Sequence, residues 1–495
     1  MILIVLLIEM VEVSVEDGLQ PNTHFLHAKD GHTYYLNKVV KGGRLSLECM
    51  FYRRKGRPCR GRASVGANGL DFKLKKIHNH APDHNLIHQR RLRSAILLRC
   101  RSGDPSMLRV IYDEERRRLK TPRVAAANIP FVTLRPAMQR ARQSTLPRIP
   151  KTLTDLDVIL RDDKYCFLTK TLDGQDCIYA GATGNEAEKT RCLIFMSERM
   201  LKYLARVKTI FSDATFCVVP TDLNGAQVWN LVTLRRHTTI GIGSIIMQSK
   251  STECYRAAIK GIKHLLPSFN PQTIMCDYES SQQKAWALEF PNAERYGCLF
   301  HASKAILKKA KEKGLIPYIE NNQHVDLAVR CLCALPLLPR NCIVDGLLQV
   351  SEAAFRKGLW SVMESLFKYV FKTWLSASRL PIFSVYECKD RTTNCCESYN
   401  YSLQTEVKTT HPNIFALISA LVRLEDNTVQ LLHVLSPGGN PRRKRKASVL
   451  VNDSRIRGLS EDLNEGNITR YKFLRQASRR MQGLYNDMLG PLKDN

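Results

Sequence analysis

Three apolar, β-branched runs follow one another between residues 207 and 248 of this chain. Val207–Phe211 runs on to Asp213, and Gln227–Arg235 and Thr239–Gln248 are separated by a polar turn. Short apolar runs rich in branched side chains predict strands. The period then changes. Tyr255, Ala258, Ile259, Ile262, Leu265 and Leu266 recur at helical spacing on one face, and Pro267 and Pro271 end the helix. Thr273–Cys276 predicts a fourth strand, ending at Asp277. A helix through Trp286 and Leu288 follows, then a short strand at Arg295–Leu299 and a basic helix at Ser303–Lys311. The order β-β-β-α-β-α-β-α predicts an α/β fold with an open mixed sheet. If the first and fourth strands are neighbours, Asp213 and Asp277 stand side by side at the carboxyl edge, where open sheets place their sites.

The remaining pattern divides the chain. Residues 22–83 form a short basic, aromatic, strand-rich module with Cys and His at intervals. Residues 84–204 read as an arginine-rich, mostly helical DNA-binding or linker region, broken at Pro122, Pro130 and Pro136, with Gln143–Pro150 as a linker. Residues 205–430 form the main unit, with a helical insertion at about 311–390. Beyond Pro437-Gly438-Gly439, residues 436–495 read as a basic polar tail. The apolar start from Met1 lacks a basic leading region and runs directly into Glu9, Glu12 and Glu16. It reads as a strand or a misplaced start codon, not as an export signal. No window predicts a transmembrane helix, so no membrane partner is expected.

Charge adds a partner to this picture. The chain carries 75 basic and 46 acidic residues, a net +29. An excess of that size suits a polyanion, and nucleic acid leads because each neutralised phosphate releases counterions. Arg90–Arg101 and Arg116–Arg123 read either as helix faces along DNA or as exposed charge. Arg442–Lys446 reads as a nuclear localisation signal or a nucleic-acid patch. The sixteen cysteines are scattered, as expected for reduced thiols plus a few metal ligands.

Candidate chemistry centres on Asp213, Asp277 and Glu397, the last opening a predicted helix. Carboxylates delivered by separate elements can hold Mg²⁺ or Mn²⁺ beside a phosphodiester. Glu397 also has a simpler reading, because Asn394-x-x-Glu397 is a helix capping box. Glu279, Glu387 and Glu406 are substitutes for it. Asp277 could instead cap the following helix, and Trp286, Trp360 and Trp374 read as core. Taken in order, Asp213-Ala-Thr-Phe, Asp277-Tyr-Glu, Cys298-Leu-Phe-His301 and Asn394-Cys-Cys-Glu397 resemble the motifs of Mutator-like element (MULE) transposases. The resemblance covers roughly residues 205–430. It implies an RNase H-like core with a helical insertion and a DDE triad at Asp213, Asp277 and Glu397. Cys298 and His301 map onto the family's Cys-x-x-His, whose role the sequence does not reveal.

Ahead of this unit, Cys49, Cys59, His78 and His80 form a C-x9-C…H-x-H set compatible with structural zinc. His84 and His88 are weaker candidates. With Gly31-His-Thr-Tyr-Tyr leading in and His78-Asn-His80 closing, the module resembles a FLYWCH zinc finger. It departs from that pattern at Leu47, where the family has Trp. Arg53, Arg54, Lys55, Arg57, Arg60 and Arg62 would contact phosphates. The expectation is a nuclear, DNA-binding, MULE-type transposase, assembling as a homo-oligomer on DNA. The alternative is a domesticated, non-catalytic DNA- or protein-binding regulator that keeps the fold.

Overall fold

Leu45, Leu47 and Cys49 alternate with polar residues, and strands of this period assemble the first sheet. Its members are β1 (Val13–Asp17), β2 (His24–Ala28), β3 (Thr33–Val39), β4 (Leu45–Cys49), β5 (Arg62–Val65) and β6 (Lys73–Lys76). They pair antiparallel in chain order. The computed structural model describes residues 13–17, 24–40, 43–53, 55–436, 439 and 447–493. The expected N-terminal strand or misplaced start, Arg54 and the run Arg442–Lys446 lie outside these residues. The sheet begins at Val13, ahead of the boundary expected at residue 22, because β1 pairs fully with β2. Leu47 is completely buried among Leu26, Tyr34, Ala63 and Val65, so the departure from Trp falls inside the core.

The chain divides into two units, Met1–Arg148 and Ile149–Asn495. In the first, helices Asn85–Arg101, Leu108–Arg118 and Phe131–Gln143 bury Leu92, Ile96, Ile111, Leu134 and Met138 together. Pro122 and Pro130 stand as N-caps, but Pro136 lies inside a helix instead of breaking it. Arg99 bonds Asp104, Glu114 and Glu115, so part of the arginine-rich charge is internal structure.

The second unit holds a seven-stranded sheet. Its strands are β7 (Tyr179–Thr183), β8 (Cys192–Phe195), β9 (Thr209–Thr215), β10 (Gln227–Arg235), β11 (Thr238–Met247), β12 (Thr273–Cys276) and β13 (Glu294–Gly297), in the spatial order β13-β12-β9-β10-β11-β8-β7. From β9 through β7 the pairing is antiparallel, and β12 and β13 are added parallel to β9. β7 and β8 correct the mostly helical reading of residues 84–204. Each is four or five residues long, too short for periodicity to separate from helix. Arg236 and His237 join β10 to β11 with φ of 50° and 64°, the conformation of a two-residue type I′ turn.

Successive side chains of the sheet enter two different cores. Ile210, Trp229 and Ile274 meet helices Thr252–Leu265 and Ser280–Glu289 on one face. Phe211, Val232 and Met275 meet helix Leu299–Glu312 on the other. That second core continues into the insertion helices Gln323–Ala334, Ile343–Arg356 and Trp360–Trp374. The expected polar tail is also corrected. Residues 447–464, 470–480 and 482–493 are helical, and Phe473, Leu474, Ala477 and Tyr485 are buried with the insertion. Frequent Arg and Lys between these apolar positions obscured their helical spacing. No helix among the described residues is long and apolar enough to cross a membrane.

Phe473→Ala should therefore lower unfolding stability by about 3–5 kcal/mol, the usual range for emptying a buried aromatic site. Denaturant titration of the full chain measures this; a change under about 0.5 kcal/mol would restore the surface-tail reading.

Candidate metal module and acidic site

In the first unit, β4 delivers Cys49, the loop before β5 delivers Cys59, and the segment after β6 delivers His78 and His80. Their ligand atoms all lie within 4.8 Å of one another. Cys49 Sγ stands 3.3 Å from His80 Nε2, Cys59 Sγ 3.4 Å from His78 Nδ1, and the two histidine nitrogens are 3.3 Å apart. Zinc bound at about 2.3 Å to sulfur and about 2.0 Å to nitrogen spaces tetrahedral ligands by roughly 3.3–3.8 Å. The four residues could thus hold a metal ion, and their donors and spacing are compatible with zinc.

The surroundings favour the same chemistry. Backbone N–H groups of Phe51 and Gly61 donate to the two sulfurs at 3.4 and 3.3 Å, as thiolate ligands require. Burial pushes the Cys49 thiol up to about 12, so its thiolate needs a cation beside it. Burial, then the nearby His32 and His80, hold His78 down to about 4, leaving it neutral and able to ligate. Each histidine also has a partner for its second nitrogen. His78 Nε2 lies 2.8 Å from Tyr34 Oη, which donates to Asp30 at 2.7 Å, and His80 Nδ1 is 2.9 Å from the Ala81 carbonyl. Such partners fix ring orientation and tautomer. Around the module, Arg53, Lys55, Arg57 and Arg60 are exposed, whereas Arg62 is tied to Glu48 and Tyr52.

In the second unit, β9 and β12 run parallel with Ser212 opposite Cys276. Asp213 and Asp277 are the next residues on each and emerge side by side. Burial first, and the Asp277 charge second, push Asp213 up to about 6. Asp277 does not cap the following helix; Glu279 takes that position, and its N–H donates to Asp277 Oδ1 at 3.1 Å. With its amide oriented to satisfy its neighbours, Gln282 donates to Asp277 Oδ1 at 3.2 Å and accepts from Ser212 Oγ and Trp229 Nε1, both at 2.8 Å. Ser212, Gln282, Trp229 and Trp286 are all buried beneath the acids.

Glu397 arrives on helix Asn394–Val407. The capping-box reading is corrected here: Thr393 is the N-cap, and no side chain caps the helix. Glu397 is 43 % exposed, with Oε1 4.0 Å from His301 Nε2. It shares the electrostatic neighbourhood of Asp213, but the three acids do not close to the spacing of the Cys/His set. One turn further on, Asn400 donates to Asp213 Oδ2 at 2.9 Å. Asn230 of β10 donates to Asn400 at 2.6 Å, and Ser244 of β11 donates to Asn230 at 2.6 Å. The helix thus hangs on a polar chain that crosses the sheet. It lies close enough that a Cβ at Gly241 would fall 2.2 Å from the Tyr399 ring. Among the substitutes, Glu279 accepts from Tyr255 at 3.1 Å, Glu406 is paired with Arg423 at 2.7 Å, and Glu387 lines a separate cavity beside Glu461.

Cys298 and His301 sit at the start of helix Leu299–Glu312, just past β13. Cys298 accepts the Thr393 N–H at 3.3 Å, which ties this helix start to the Glu397 helix. Burial opposes charge on His301, but Cys298, Asp277 and Asp213 outweigh it and push the imidazole up to about 9. A protonated His301 beside Glu397 and two aspartates partly neutralises the cluster. Gln282, Asn230, Ser244 and Asn400 were not singled out in the sequence. Asn400 alone carried a signal there, three residues beyond Glu397 and so on the same helical face.

Four variants test these two sites. Cys59→Ser should lose one bound zinc per chain by elemental analysis, and Tyr34→Phe should weaken zinc about 10–100-fold in a chelator competition. Asn400→Ala should weaken Mn²⁺ binding by the full chain several-fold in calorimetry, while Asn400→Asp, which cannot donate to Asp213, should not restore it.

Residues 209–305 match the family model described as the MULE transposase domain. The match starts at β9 and ends within the helix after β13, so it takes in Asp213, Asp277, Cys298 and His301 and stops before Glu397. No curated protein matches the chain. The match makes this segment similar to MULE transposase domains.

Proposed function

We propose that the chain is a MULE-type DDE transposase that cuts and rejoins DNA. The observation that carries this is the parallel register Ser212↔Cys276, which brings Asp213 and Asp277 to one edge inside the matched segment. Three antiparallel strands, with two parallel strands added beside the first, support an RNase H-like reading of the core. Asp213 and Asp277 would hold Mg²⁺ or Mn²⁺, with Glu397 reaching in from its helix. Bound there, the metal supplies Lewis-acid activation of a nucleophilic oxygen and stabilisation of a leaving oxygen. Gln282 and Asn400 orient the two aspartates, Gln282 by donating to Asp277 Oδ1 and Asn400 by donating to Asp213 Oδ2. His301 offsets part of their repulsion and stands within reach of Glu397.

The first unit would add DNA affinity through a FLYWCH-type zinc finger. Its four converging donors and the exposed Arg53, Lys55, Arg57 and Arg60 support that role. A nuclear location follows from the DNA substrate and from the basic run Arg442–Lys446. Assembly as a homo-oligomer on DNA belongs to the same reading.

Purified full-length protein should nick or join plasmid DNA with Mg²⁺ or Mn²⁺. Asp277→Asn should reduce this by about a thousandfold or more, since a metal clamp contributes several kcal/mol, without altering thermal unfolding. Activity that survives Asp213→Asn and Asp277→Asn together would sink the mechanism. A chain that binds DNA but never cuts it would be a non-catalytic regulator built on the same fold.

A further inference from the structure

The acidic edge has a basic approach on each side. β9, β11, β12 and β13 all run toward this edge, so the residues that follow them lie along it in sheet order. Beyond β13, helix Leu299–Glu312 buries Leu299, Ser303, Ile306, Leu307 and Ala310 on one side. His301, Lys304, Lys308 and Lys311 recur at intervals of three and four, which places them on one other face. Lys304 and Lys308 are exposed and Lys311 is half-exposed. Among the described residues, none of these three lysines has an ion pair, and the helix's single acid, Glu312, is paired with Lys309 at 2.7 Å. From His301 to Lys311 the stripe rises roughly 15 Å, the span of several successive phosphates.

On the other side, Phe216 lies three residues past Asp213. It is 42 % exposed, and Lys250 Nζ sits 3.6 Å above its ring. Lys250 follows β11 and also acts on Glu279 beside Asp277. Cations thus stand to both sides of a carboxylate cluster that would repel a polyanion without them.

We propose that a DNA strand lies across this edge, its phosphates held by Lys304, Lys308 and Lys311 on one side of the acids and by Lys250 on the other. This rests on the DNA-cutting reading above and adds the path of the substrate. Charge complementarity selects the occupant, and the stripe begins at His301, one contact from Glu397. An apolar peptide would gain nothing from three unpaired ammonium groups.

The test is the salt dependence of binding by the full chain to a fluorescent 30-base-pair duplex, read by anisotropy between 50 and 200 mM salt. Each phosphate contact contributes about 0.9 to the slope of log K against log salt. Lys304→Gln/Lys308→Gln/Lys311→Gln should lower that slope by about 2–3, and Lys250→Gln by about 1. Three exposed lysines elsewhere, changed as Lys260→Gln/Lys357→Gln/Lys372→Gln, should leave it within about 0.5 of the wild type. An unchanged slope in the first variant, or an equal fall in the control, overturns the path. Wild-type binding that is insensitive to salt overturns the DNA partner itself. Absence of metal-dependent cutting, with these slope differences intact, removes only the catalytic reading.

Discussion

The parallel pairing of β12 on β9 is the constraint on which the acidic site depends. A shift of one residue would turn Asp277 to the opposite face and remove it from Asp213. The register is fixed from below. Ile210 and Ile274 enter one core while Phe211 and Met275 enter the other, so slippage of β12 would turn Ile274 and Met275 each to the wrong core. Ser212, one residue before Asp213, is locked by Gln282 and by Trp286 at 3.2 Å. The same Gln282 reaches Asp277. One buried polar network therefore sets the height of both strands and the orientation of one acid. Its groups are satisfied among themselves, which is what permits polar atoms at this depth.

Much of this was legible, and the reasons are local. The run from Val207 to Lys311 has clear periods, Pro stops and acids at strand ends, so the succession of elements could be reasoned from pattern. The Asp213/Asp277 adjacency followed on the condition that the first and fourth strands are neighbours, which the structure meets. The Cys/His set was visible as four donors in a short basic module. What failed did so for physical causes. β7 and β8 are too short to display a period. Helix Arg470–Arg480 buries Phe473, Leu474, Ala477 and Ser478, and five of its seven other positions are Arg or Lys. Pro136 fits inside a helix, which composition alone could not show. Asn394-x-x-Glu397 satisfied the capping-box spacing, yet the chain places Thr393 at the cap. That correction removes the simpler explanation for Glu397 without by itself making it a ligand.

Long-range polar contacts were beyond any reading of spacing. Ser244, Asn230, Asn400 and Asp213 are separated by up to 187 residues, and only the folded sheet aligns them. Their chain adds directed polar contacts to the packing of Cys395, Cys396 and Tyr399 of the Glu397 helix against the sheet. A buried asparagine between two strands and a helix has few alternative partners, so it specifies one docking position more sharply than apolar contact would. The Cys298 contact to Thr393 adds a second tether at the start of the same helix. Both ends of this arrangement converge on Glu397, although its own side chain remains exposed.

The two sites follow opposite design rules, and the difference bears on what each can do. The Cys/His donors are already at the separations a tetrahedral ion imposes, and their backbone and ring partners are in place. With zinc bound, a closed set of four protein ligands would leave no position for a reactant, as in structural sites. The acids are fewer, wider apart and partly exposed, and Gln282 and Asn400 orient the two aspartates. On the proposed reading, such an open set of hard oxygens would leave room for water and for a phosphate oxygen. Of the three acids Glu397 is the most exposed, so on that reading its side chain would be the one to move in and complete the set.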